Sequence, residues 1–127
     1  MKITRWLAQF LLSVNFIEGG WSAYREPGNR PATVAKAGIP EPELAVKANG
    51  ATMVLAAIAL ALNIWSKLAA AVLLAALIPT TLVGHAFWQE EDPGARKMQQ
   101  MQFAKNLGLI GGLLLVLADR KSATKEK

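Results

Sequence analysis

Residues 68–88 read LAAAVLLAALIPTTLVGHAFW, and His85 is the only titratable side chain among them. A bilayer core is crossed by about 20 mainly apolar helical residues, so this run alone predicts a membrane span. Its alanines and leucines favour helix over strand. Just upstream, residues 51–65 (ATMVLAAIALALNIW) carry no charge and span if Ala48 and Ser66 are included. Only Ser66 and Lys67 separate the two runs, a connection short enough to predict antiparallel neighbours. Downstream, residues 107–118 are too short alone and reach full length by extending back through Lys105, Phe103 and Gln102. The earliest run, residues 6–24, is interrupted by Asn15 and Glu18. Its basic start (Lys2, Arg5) resembles a signal peptide, but no small-x-small cleavage site follows, which favours a retained helix.

The whole chain agrees with this reading. It has 127 residues, 53% hydrophobic and 18% charged, whereas soluble domains carry about 25% charge. The length allows one domain. There is no cysteine and one histidine. That excludes disulfides, thiolate metal sites and Fe–S ligation by this chain, and a His-based zinc or bis-His haem site within one subunit. The net charge is +5. The bases sit at the ends of the apolar runs and at the C-terminus, which fits flanking of a lipid bilayer rather than nucleic-acid binding.

The expected fold is therefore all-α: an integral membrane four-helix bundle, up-down-up-down, with spans at about 6–24, 48–66, 68–89 and 98–118. A longer first extramembrane loop covers 25–47, and a polar tail covers 119–127. Pro27, Gly28 and Pro31 end the first helix, Gly38 and Pro40 precede the second, and residues 32–37 can form a short interfacial helix. Asp92-Pro93-Gly94 reads as N-cap, first helical position and first turn of the last helix. Pro79 is expected to kink the third span, and Gly108, Gly111 and Gly112 are expected to be close-packing positions. Counting of lysine and arginine favours a plasma-membrane protein with both termini cytoplasmic.

Polar groups inside spans are costly, so their positions carry information. The four-span arrangement places Asn15, Glu18, His85, Lys105 and Asn106 in the extracytoplasmic half. The opposite halves are nearly all apolar, with Asn63 the main exception. Asn15, Glu18 and Ser22 fall on one helix face; so do Thr81, His85 and Trp88, and Gln99, Gln102 and Asn106. Three such stripes predict an inward-facing polar pocket, because lipid leaves polar groups unpaired. Glu18 and His85 are the candidates for proton exchange, and Asn106, Lys105, Trp88, Asn15 and Thr81 for ligand binding. Each also has a structural reading: Lys105 can snorkel to the interface or pair with Glu18, Trp88 can anchor in the interfacial belt, and the asparagines can bond between helices.

The strings Phe16-Ile17-Glu18-Gly19-Gly20, Gly84-His85-Ala86-Phe87-Trp88 and Lys105-Asn106-Leu107-Gly108-Leu109-Ile110-Gly111-Gly112 occur in this order. Together they resemble the DoxX family of small four-helix membrane proteins. One departure stands out. Many members carry a glutamate early in the second helix, within Gly-x-x-Glu-x-x-Gly-Gly; here the acid is replaced by Met53 and the glycines by Ala56 and Ala57. The resemblance implies a membrane subunit of a redox assembly, either quinone-linked or coupled to thiol- or superoxide-handling enzymes. It implies membrane lipids and protein partners, with a homo-oligomer and a bound quinone among the expectations. The sequence supplies no cofactor within the chain and no evident electron carrier. Two other classes stay open: a scaffold subunit without chemistry of its own, and a small proton-coupled transporter using Glu18.

Overall fold

The computed structural model describes residues 2–119; Met1 and all of the expected polar tail except Asp119 lie outside the described residues. The described chain is helical, with no strand among its elements. Helix α1 spans Lys2–Arg25, α2 Arg30–Lys36, α3 Pro42–Ala61, α4 Ser66–Pro79 and α5 Pro93–Ala118. A π-helical turn, Thr80–Gly84, and a 3-10 turn, Phe87–Gln89, follow α4. Three segments are long and apolar enough to cross a membrane: Pro42–Ala61, Ser66–Gln89 and Pro93–Ala118. Helix α1 is about 36 Å long at 1.5 Å per residue, but its polar and charged residues keep it from that group.

Helix α1 packs along α3, α3 along α4, and α4 along α5, whereas α1 and α5 touch at few points. Those points lie at the end holding Lys2 and Asp119, here the proximal end. There the Arg5 guanidinium pairs with the Asp119 carboxylate, and Leu12 packs against Gly112. At the opposite, distal end α1 and α5 separate. The shared core runs through Phe16, Ala57, Leu60, Leu73 and Leu113, all essentially buried.

Sequence features account for most boundaries. Pro42 and Pro93 occupy first helical positions, where a missing N–H costs nothing. Asp92 caps α5 as expected: its Oδ2 accepts from Ala95 N at 2.9 Å. Asp92→Ala is expected to lower stability by about 1 kcal/mol, readable as a lower unfolding midpoint in detergent. The short helix expected over 32–37 is found as α2.

Several details differ from expectation. The turn between α3 and α4 lies at residues 62–65 rather than at Ser66-Lys67, and it closes with Asn63 and Trp65 in left-handed conformation. Ser66 already belongs to α4. The third long run is not one regular helix. Pro79 contributes no N–H, and the backbone beyond it widens into the π turn before leaving helical geometry at His85. Of the three glycines expected to pack closely, only Gly112 meets another helix, with Leu12 Cδ1 3.3 Å from the position its Cβ would take. Gly108 and Gly111 face open space. The close approach is instead Gly20 against Gly50, where α1 and α3 meet backbone to backbone: a Cβ on Gly50 would lie 2.5 Å from the Gly20 carbonyl oxygen.

The proximal half is also less apolar than expected. Gln9 is only 2% exposed, and its Nε2 donates to Leu60 O at 3.0 Å, Ser66 Oγ at 3.1 Å and Asn63 Oδ1 at 3.2 Å. Ser66 Oγ donates to Asn63 Oδ1 at 2.7 Å, and the buried Ser13 hydroxyl donates to Gln9 O. Asn63 is thus one member of a polar knot that pins α1 to the α3–α4 turn.

Candidate functional site

The distal separation of α1 and α5 leaves a chamber of about 640 Å³. Its walls come from every helix. Asn15, Phe16 and Gly19 of α1 line it beside Val46, Asn49 and Met53 of the adjoining α3, with Leu77 of α4. Thr80 and His85 line the third side, and Gln102, Lys105 and Asn106 of α5 the fourth. The segment through Arg30, Thr33 and Val34 of α2 covers the distal rim. Among the described residues no carboxylate lines the chamber; its charged side chains there are Arg30 and Lys105.

The π turn creates the polar wall. Consecutive threonines there act as relays. Thr80 Oγ1 donates to Ala76 O at 2.8 Å and accepts from Asn49 Nδ2 at 2.9 Å. Thr81 Oγ1 donates to Leu77 O at 2.8 Å and accepts from Asn106 Nδ2 at 3.0 Å. Each hydroxyl answers one carbonyl of its own helix and one amide of a neighbour, so α3, α4 and α5 are locked at one level. Buried polar groups that are fully paired fix geometry as well as adding stability. π-helical turns recur at functional sites for this reason: they displace side chains from the regular helical positions.

His85 sits where the backbone leaves the π turn, half-buried on the chamber wall. Its Nδ1 lies 2.7 Å from Gln99 Oε1. With the amide oxygen as acceptor, Nδ1 carries the proton and Nε2 is left with a lone pair. The neighbouring Phe87 and Trp88 stack edge-on with each other and with Phe103, at centroid distances of 5.2–5.9 Å. This aromatic cluster clamps the His85 segment to α5.

The structure therefore brings Asn15, His85, Lys105 and Asn106 to one chamber. Thr81 lies directly behind its wall, buried and bonded to Asn106. Trp88 is half-exposed in the aromatic cluster and does not line the chamber. Glu18 departs most from expectation. It is exposed, and it lines a shallow groove with Ile17, Trp21, Ser22, Arg25 and Glu26. Of the two readings of Lys105, the pair with Glu18 within the chain is not formed among the described residues. Asn15, Gly19 and Ala23 form the chamber edge of α1, and Glu18 falls on the flank beside it. Gln102, on the predicted polar stripe of α5, also lines the chamber, and so do Asn49 and Thr80, which were not among the candidate site residues. Asn49 opens the second apolar run, and Thr80 follows Pro79; both signals were visible.

An all-helical chain with three segments able to cross a bilayer, built around a polar chamber at one end, is a membrane protein. It belongs to the DoxX family: the DoxX family model matches residues 5–86, well over half of the chain. The match takes in Glu18, Met53, Thr81 and His85 and ends before Trp88, Lys105 and Asn106. Comparison with curated proteins and with solved structures gave no match.

Proposed function

We propose that the protein is a four-span subunit of a plasma-membrane redox complex and that its chamber holds a quinone head group. In this reading α1 is the fourth span, the course is up-down-up-down with both termini cytoplasmic, and the chamber lies in the extracytoplasmic half. The observation that carries it is the chamber. Small-molecule sites are concave, about 300–1,000 Å³, mostly apolar and furnished with a few polar groups. Phe16, Val46, Met53 and Leu77 suit the faces of a flat ring, and Asn15, Gln102, Asn106 and His85 suit its oxygens. The absence of a carboxylate from the lining fits a ligand that presents carbonyl oxygens.

A quinone, when bound, supplies two-electron, two-proton carrier chemistry. The chain's own part is positioning and proton handling. His85 Nε2, with Nδ1–H held by Gln99, can accept a proton from a ring hydroxyl or, once protonated, donate one to a ring carbonyl. Asn106, anchored through Thr81, presents its amide oxygen as a fixed acceptor, and Gln102 and Asn15 supply donors. Glu18 has no direct part, because it lies outside the chamber. Without cysteine and with one histidine, the chain leaves electron delivery to a partner protein.

Titration of a short-tailed benzoquinone into the protein in lipid nanodiscs, followed by tryptophan fluorescence, tests this. The expected result is saturable binding, weakened at least tenfold by His85→Ala and by Asn15→Leu and unchanged by Glu18→Gln. Tenfold corresponds to about 1.4 kcal/mol, within the range of one charged or well-placed hydrogen bond. No saturable binding, or equal binding by all variants, would overturn the proposal.

A further inference from the structure

The groove beside the chamber holds a carboxylate, Glu18, within α1, with Arg25 two turns further on. Glu18 and Lys105 are both exposed, and neither forms an ion pair among the described residues. They also lie at one level. Glu18 is two residues from the Gly20–Gly50 crossing. Lys105 adjoins Asn106, which reaches Thr81, while Thr80 reaches Asn49, the neighbour of Gly50. The two charges thus sit within about one helical turn of each other in depth, roughly 5 Å. Within a span, an exposed carboxylate and an exposed ammonium at one level are each costly alone and compatible together, and Lys105 stands at the open side of the chamber, where it is exposed.

The faces that carry them match. On α1, Leu7, Leu11, Val14, Glu18, Trp21 and Arg25 follow a 4-3-4-3-4 spacing, and all are exposed. That is the seam of a helix packing against another. On α5 the exposed residues around Lys105 are Met101, Gly108, Gly111 and Leu115, and a Cβ on either glycine would meet nothing inside the chain. The α1 seam is bulky, and the α5 seam is hollow at Gly108 and Gly111, between Met101 and Leu115. Both are exposed, so neither is covered by α3 or α4.

We propose that two copies pair through these faces about a twofold axis along the membrane normal, α1 of each against α5 of the other. Glu18 of one copy then meets Lys105 of the second. Helix α1 runs toward the distal end and α5 away from it. One step inward therefore seats Val14 on Gly108, and the next seats Leu11 on Gly111, where small residues let helices approach closely. Two reciprocal ion pairs close the dimer, which is the self-complementary pattern of a twofold interface. The dimer also covers the lateral opening between α1 and α5, so each copy completes the other's chamber wall. The inference rests on α1 being a span and not on what the chamber binds.

The chain has no cysteine, which permits a direct test. Differently tagged chains, one carrying Leu11→Cys and the other Gly111→Cys, are co-expressed and oxidised in the membrane. The expected product is a tag-mixed band at twice the 13.7 kDa chain mass. Glu18→Lys or Lys105→Glu, introduced into both chains, should reduce it at least tenfold, and the two together should restore it to within twofold. Gly108→Leu, whose side chain has free space within one chain, should abolish it while leaving helix content and monomer yield intact. A band indifferent to the charge reversals would overturn the interface. So would no band while the cysteine at position 11 stays protected from a membrane-impermeant maleimide. A cysteine there that the maleimide labels freely would overturn the span and the interface together.

Discussion

Gly50→Leu is expected to prevent α1 from docking on α3, leaving a chain that inserts but does not acquire its packed structure. The reason is geometric. Even a single Cβ at Gly50 would lie 2.5 Å from Gly20 O, 3.1 Å from Tyr24 N and 3.2 Å from Ala23 Cβ. Two of these three neighbours are backbone atoms, which cannot turn aside as a flexible side chain can. Gly50→Ala should therefore cost about 1–3 kcal/mol, the range for overpacking a close contact, and leucine considerably more. Gly20→Ala should behave like Gly50→Ala, because its Cβ would lie 2.6 Å from Gly50 O. The double alanine variant should not show the sum of the two, since both act on one contact. Unfolding titrations in mixed micelles check this. Gly108→Ala, at a position with nothing within reach, is the control that should leave stability of the single chain unchanged.

Gln9→Leu is expected to destabilise the chain by about 2 kcal/mol, less whatever is gained by removing Gln9 Oε1, which is buried without a partner among the described residues. The Gln9 amide donates to three acceptors on the α3–α4 connection, and leucine supplies none of these bonds. Buried acceptors stripped of their donor lose about 1–3 kcal/mol. Ser66 and Asn63 keep their mutual bond, which limits the loss. Gln9→Glu should not rescue the variant, because a carboxylate would face Leu60 O and Asn63 Oδ1 as acceptor against acceptor. The readout is a lowered unfolding midpoint, together with faster proteolysis at residues 62–65, where the knot normally holds the turn.

Much of this arrangement was legible from the chain alone. The apolar runs gave the long helices, Asp92-Pro93 gave the start of α5, and Pro79 flagged the irregularity that builds the chamber wall. Convergence of Asn15, His85, Lys105 and Asn106 followed from placing polar groups at one depth. What failed has a common cause. A +3/+7 spacing defines a broad arc of a helix and not a single direction, so Asn15 and Glu18 share a stripe and still face different surroundings. The neighbours of α1 decide which edge turns inward: α3 takes Gln9, Ser13, Phe16 and Gly20, and the chamber takes Asn15 and Gly19. Gln9, Ser13, Phe16 and Gly20 recur at +4, +7 and +11, a buried-face pattern that reveals the proximal knot once Gln9 is weighted as heavily as Glu18. The Gly20–Gly50 contact could not be found this way. It depends on the register between two helices distant in sequence, and no local pattern encodes that register. The dense Gly108–Gly112 cluster drew attention instead, although two of its three glycines face outward.

These placements give three chamber residues, Asn49, Asn106 and His85, separate duties. Asn49 and Asn106 are spent partly on the threonine relays, so their loss should disturb structure along with binding. The His85 side chain makes its one described hydrogen bond, through Nδ1, to Gln99, and Nε2 has no described partner. It is therefore the position at which binding and folding separate most cleanly.

Native mass spectrometry of the protein released gently from its own membrane tests the chamber assignment most directly. The wild-type protein is expected to retain a quinone, lost from His85→Ala at unchanged fold and retained in Glu18→Gln. A wild-type protein carrying only phospholipid, or a quinone that stays bound when His85 is gone, would contradict it.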